Sequence, residues 1–173
     1  YALQGGCKYI DAFGIPNLDL HGEYNTARPY MYTHQTIFTN YQHYNQALAH
    51  PLGANFSEAI GILRYQPLPR LSLFGKLIMA SSGGDADGNN WGSNVLLDYN
   101  TRVSDFGNST GQGVAEDMLF GEFKASYMMK HNLWLDLGLT YRDLDSDADP
   151  IDLQTTFFQA ALRWNTRSHD FSF

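Results

Sequence analysis

Cysteine is almost missing from this chain of 173 residues: Cys7 stands alone, so no internal disulfide can staple the fold. Cys7 lies in a strand-like stretch with no signal-peptide pattern before it, and is read as a packing residue, not as a nucleophile or lipid anchor. Cations are scarce as well. Lys and Arg number 11 against 18 Asp and Glu, a formal net charge of -7, which excludes nucleic acid, since nothing here can neutralise a row of phosphates. Long hydrophobic runs are also lacking. No segment approaches the ~20 apolar residues of a membrane helix. That absence leaves membrane barrels open, because each barrel strand gives a far weaker hydropathy signal.

What the chain does have is aromatic residues, with 11 Tyr and 11 Phe, and a strict alternation of apolar and polar positions. In "NLWLDLGLTY" (132–141) Leu133, Leu135, Leu137, Leu139 and Tyr141 take every second place, with Trp134, Asp136, Gly138 and Thr140 between them. A strand turns successive side chains to opposite faces, so this stretch has one greasy face and one mixed face. The same pattern recurs at 17–28, 70–81, 118–129 and 154–165, while 56–66 is apolar on both faces. Runs of about ten to twelve residues suit a tilted strand crossing a bilayer and are about twice the length of ordinary strands.

Connections alternate between terse and long. Short Gly/Pro/Asn turns fall at about 13–17, 66–70 and 130–132, and long polar loops at about 29–55, 82–114 and 143–152. Compact soluble domains seldom carry loops of that length. Outer-membrane barrels have short periplasmic turns and long extracellular loops as a rule. A lipocalin-like barrel in water shares the alternation, with its greasy face inside. Long strands, unequal loops and rings near strand ends (Tyr24, Tyr65, Tyr127, Tyr141 and Trp164) favour the membrane reading. The expected fold is therefore all-β, an antiparallel transmembrane outer-membrane β-barrel whose oily rows face lipid and whose charges meet inside. About seven strands are visible, and bacterial barrels hold an even number, so the chain, which starts at Tyr1 without an initiator Met, is expected to be the C-terminal part of a barrel of about 14 to 18 strands.

The most distinctive stretch is the loop at 28–56, where Tyr30, Tyr32, Tyr41, Tyr44, His43 and Asn45 are the candidate glycan-binding residues. Flat rings stack on the apolar face of a sugar while amides and imidazoles meet its hydroxyls. The competing reading is that this loop packs on itself over the barrel mouth. His34, His43 and His50 are spaced nine and seven residues apart and match no compact metal-ligand pattern. In "GGDADGNNWGSN" (83–94) Asp85, Asp87 and Asn89 alternate around Gly88 as in part of a calcium loop, but the closing Glu is absent; calcium is the one cofactor considered, in an extracellular loop. The five carboxylates at 143–152 read as a solvated tip. His21 lies between Asp19 and Glu23, but no Ser nucleophile motif accompanies it, so no enzyme is expected.

Several pieces of the chain resemble a group of Bacteroidota outer-membrane proteins described as capsule-assembly Wzi-like or gliding-motility RemB-like. They are "EYNTARPYMYTH" (23–34), "TNYQHYNQALAHPLGANF" (39–56), "LRYQPLPRL" (63–71), "GSNVLLDYNTR" (92–102) and "LRWN" (162–165). The resemblance implies a large barrel in the outer membrane with lipid and surface polysaccharide as partners, and no individual binding residue is carried over from it. The alternative is a structural or accessory subunit of a larger outer-membrane complex, for secretion, gliding motility or nutrient import, partnered by other outer-membrane proteins and without a ligand of its own.

Overall fold

The structure, a computed structural model, describes residues 1–85, 88–148 and 152–165. It contains β1 (Ala2–Tyr9), β2 (Leu18–Ala27), β3 (Gln42–His43), β4 (Gln46–Ala47), β5 (Phe56–Leu68), β6 (Leu71–Gly84), β7 (Val114–Lys130), β8 (Leu133–Ser146) and β9 (Leu153–Trp164). Three short 3-10 turns complete it, and no α-helix occurs among the described residues. Seven strands form one antiparallel sheet in the order β1-β2-β5-β6-β7-β8-β9, while β3 and β4 pair as a hairpin inside the first long loop. The sheet is a meander: apart from the β3–β4 hairpin inserted between β2 and β5, each strand lies beside the next in the chain. It does not close: β1 and β9 are its edges.

The register carries the period-two pattern across the whole sheet. One face holds the row Leu20, Leu63, Gly75, Phe123, Leu139 and Phe158, each residue opposite the next. The other face holds the row Lys8, His21, Ile62, Lys76, Glu122, Thr140 and Phe157. A slip of one residue at any pair would exchange the two faces, so consistency over six pairs is strong registration. Turn residues hold it. Asn132, between β7 and β8, takes φ 61, a left-handed conformation that Asn tolerates. Between β1 and β2, the Asp11 carboxylate accepts the Asn17 N–H at 2.7 Å.

Neither face is packed into an interior. Buried apolar residues among those described are few and mostly small: Ala12, Ala27, Ala54, Phe56, Ala80 and Val95. The leucine row that raised the question of orientation is uncovered, with Leu135, Leu137 and Leu139 at 38%, 49% and 37% exposure. Polar groups take the opposite face. Lys8 pairs with Asp19 at 3.3 Å, Lys76 with Glu122 at 3.3 Å, and Arg163 with Asp136 at 2.9 Å. Arg163 also lies over the Trp134 ring, and Lys76 over Phe120.

Strand ends differ from the sequence reading in several places: residues 66–68, expected in a short turn, end β5, and residues 82–84, expected in the second long loop, end β6. Residues 143–146, expected in the third long loop, continue β8 to Ser146, and Asp145 stands opposite Asp117 of β7. Ladder hydrogen bonds run between backbones, so a polar stretch extends a strand wherever its partner continues.

Candidate functional site

The long-loop end of the sheet carries the site. Residues 28–55 lean over the polar face, and residues 88–113 brace them from the side. Buried asparagines lock the two together. Asn40 donates to the carbonyls of Val95 at 2.9 Å and Leu97 at 2.8 Å, and accepts the His34 N–H at 2.6 Å. Asn90 ties the second loop internally, donating to Thr101 Oγ1 at 2.9 Å and accepting the Gly92 N–H at 2.9 Å, and its carbonyl accepts the Tyr30 hydroxyl of the first loop at 2.7 Å. Asn55, fully buried, donates to the carbonyls of Gly83 and Gln112 and accepts the Gly111 N–H. Each amide offers two donors and an acceptor to backbone groups that a loop cannot pair by itself. The loops are thereby held in one arrangement.

Beneath the loop a chain of polar side chains crosses the strands. Gln4 of β1 donates to Glu23 at 2.8 Å, Asn25 of β2 donates to Glu23 at 2.9 Å and to Glu58 of β5 at 3.0 Å, and Glu58 meets His50 Nε2 at 3.0 Å. Asn25 and Glu58 are 5% and 6% exposed. The Leu52 N–H donates to His50 Nδ1 at 3.2 Å, which leaves the proton of the neutral ring on Nε2, pointed at Glu58. The His50 ring stacks on Phe56 with centroids 4.3 Å apart and planes 22° apart. A cavity of about 270 Å³ opens beside this chain, lined among others by Gln4, Asn25, Tyr32, His50 and Phe56. It offers amides, a hydroxyl, an imidazole and two rings within one small space, which is the chemistry that meets a sugar.

The six residues singled out in the loop divide into three groups. Tyr32 and Tyr41 come together, ring centroids 6.1 Å apart, and Tyr32 borders the cavity. His43, Tyr44 and Asn45 sit at the β3–β4 hairpin; Tyr44 and Asn45 take φ 48 and 57, the paired left-handed conformations of a type I′ turn. Tyr44 lies against His43 with ring centroids 4.2 Å apart and planes tilted by 54°, and is 87% exposed. Tyr30 points into the loop packing instead. Its hydroxyl donates to the Asn90 carbonyl at 2.7 Å and accepts the Val103 N–H at 3.3 Å, and burial pushes its pKa above the ordinary 10.0.

Of the calcium candidates, Asp85 accepts the Trp91 N–H at 2.6 Å and so caps its own turn, Asn89 is exposed, and Asp87 lies outside the described residues. Among the described residues no group of three or more His, Cys, Asp or Glu is placed to hold a metal ion. His34, His43 and His50 do not converge. Neither His21 nor His50 meets a hydroxyl or thiol among the described residues: His21 lies 3.7 Å from Glu23, and His50 is held by Glu58 and Leu52.

Sequence reasoning missed Gln4, Asn25 and Glu58. Glu58 carried a signal: it is the one acid in the otherwise apolar start of β5, and a lone carboxylate there needs a partner. Compared with protein-family models, curated proteins and solved structures, the chain finds no match.

Proposed function

We propose that the chain forms part of a barrel in a bacterial outer membrane, and that its long-loop end binds surface polysaccharide without catalysing a reaction. The observation that carries the membrane reading is the uncovered leucine row of β8, continued by Leu63, Leu77, Met79, Phe123 and Leu162 on the same face. Monomeric soluble proteins rarely expose an apolar area of that extent, which marks a membrane or protein contact. The band also has the right height. From Tyr127 to Leu119 the apolar side of β7 runs about 27 Å at roughly 3.4 Å per residue, or about 20 Å of depth at a tilt of about 40°, close to the lipid-facing band of such barrels. Beyond it the same face turns polar, with Thr26, Ser57, Ser81, Asp117 and Asp145. Free edges at β1 and β9 call for further strands, since an open edge in lipid leaves backbone groups unpaired.

The glycan reading rests on the rigid loops, the Tyr32–Tyr41 pair and the amide-lined cavity beside it. Surface-polysaccharide fragments are expected to bind the purified barrel in detergent, and Tyr32→Ala and Tyr41→Ala to weaken that binding at least about tenfold, the scale of one lost ring contact with its burial. Wild-type protein that binds no surface glycan but co-purifies with another outer-membrane protein overturns this reading and favours the accessory-subunit alternative.

A further inference from the structure

The short-turn end of the polar face holds a second concavity, of about 800 Å³. Arg64 of β5, Phe74 of β6 and Lys124 of β7 stand side by side across its floor, each opposite the next in the ladder. Adjacent strands lie about 4.8 Å apart, so the two cations flank the ring at a separation of about 10 Å between backbones. Asn17, Gln66, Ser72 and Ser126 supply amides and hydroxyls around them.

The charges here are unevenly matched. Three carboxylates border the cavity, and each is engaged: Asp19 with Lys8 at 3.3 Å, Glu122 with Lys76 at 3.3 Å, and Asp11 with the Asn17 N–H at 2.7 Å. Asp136, further along β8, gives both its oxygens to Arg163. Arg64 and Lys124 form no ion pair or side-chain hydrogen bond among the described residues. Two cations without an ion pair among the described residues, on either side of an aromatic ring in a space rimmed by amides and hydroxyls, match one class of small molecule; Asp19, opposite Arg64 in the ladder, is taken by Lys8.

We propose that this cavity binds an acidic saccharide, with the sugar ring stacked on Phe74 and its carboxylate held by Arg64 and Lys124. The inference rests on the reading that the polar face lines a barrel interior. It is independent of the loop site at the other end of the strands.

The test is titration of the full chain in detergent with trigalacturonate, and with the neutral galactose trimer as control, followed by calorimetry. Trigalacturonate is expected to bind, to bind more weakly as salt rises, and to lose about tenfold or more in affinity in Arg64→Gln and again in Lys124→Gln, as removal of charge-assisted bonds predicts. Phe74→Leu, which keeps the apolar volume and both cations, is expected to lose a smaller factor. Tyr32→Ala is expected to leave this binding unchanged, which separates it from failure at the loop site. Equal binding of the neutral trimer, no binding of trigalacturonate, or affinity untouched by both cation variants in normally folded protein overturns the proposal.

Discussion

Asn55 holds the start of β5 to the end of β6 through Gly83. The Gly83 N–H donates to the Asn55 carbonyl at 3.1 Å, and the Asn55 amide donates back to the Gly83 carbonyl at 2.8 Å. The same amide reaches the Gln112 carbonyl at 2.7 Å, so one side chain ties three segments at the mouth. A side chain at Gly83 would overlap the Gln112 carbonyl and the Asn55 amide, which is why the position has none.

Asn55→Ala is therefore expected to loosen the loops without unravelling the sheet. It strands two carbonyls and the Gly111 N–H, and the cost is about 3–9 kcal/mol at about 1–3 kcal/mol per unmet buried group, less where water enters. Limited proteolysis checks this: cleavage between residues 85 and 113 should quicken by well over tenfold while the strand core stays resistant. Gly83→Ala should give the same pattern from the other side of the contact.

His50 and Glu58 make a second, separable prediction. His50→Ala leaves a 6% exposed carboxylate with Asn25 as its remaining side-chain partner, whereas His50→Gln keeps a donor within reach. Losing a hydrogen bond to a buried carboxylate costs about 1.5–3 kcal/mol. The double variant His50→Ala/Glu58→Gln should recover much of that loss. A double-mutant cycle on thermal unfolding measures the coupling, and additive single effects would show that the two groups do not interact.

The strands were legible because each repeats a two-residue period between turn residues, and because neighbours in the chain are neighbours in the sheet. Residues 133–141 assign their own faces. The loop site was only half legible. Tyr32 and Tyr41 are close in sequence and meet, but Tyr30, which looks the same on paper, turns inward to Asn90. Asn25 reaches Glu58 across 33 positions, and Asn55 reaches Gln112 across 57, and no local pattern announces either partner. Asn55 in "GANF" reads as an ordinary turn residue; its burial follows only from the arrival of a second loop. The end of β8 was misplaced for a related reason, since its continuation depends on β7 and not on its own polar side chains.

Tyr30 supplies a pH dependence. Its folded-state pKa lies above 10.0 because burial disfavours the phenolate. Below pH 10 the folded and unfolded states both hold the proton and the contribution is fully present. As pH rises past 10.0 the unfolded chain releases it first, so stability falls toward the folded pKa. Loop proteolysis at pH 9 and pH 11 should accelerate more in the wild type than in Tyr30→Phe, which cannot ionise there. The variant starts lower by about 1–2 kcal/mol for its lost hydroxyl bonds, so the comparison is of slopes and not of absolute rates. Equal slopes would remove Tyr30 from the alkaline transition.

Leu139 tests the orientation of the whole sheet. It occupies the middle apolar row, opposite Phe123 and Phe158, while its neighbour Thr140 faces the other way, opposite Glu122 and Phe157. In a bilayer Leu139→Arg places a charge near mid-depth and should cost about 2–4 kcal/mol, whereas Thr140→Arg enters a face that already carries Lys76 and Glu122 and should cost little. Urea unfolding of the barrel from lipid vesicles gives both values directly. If Leu139 instead lay against a protein partner in water, Leu139→Arg would leave vesicle insertion as efficient as in the wild type and would abolish an association in solution. The ordering of the two substitutions, and not the size of either, decides which way the oily rows look.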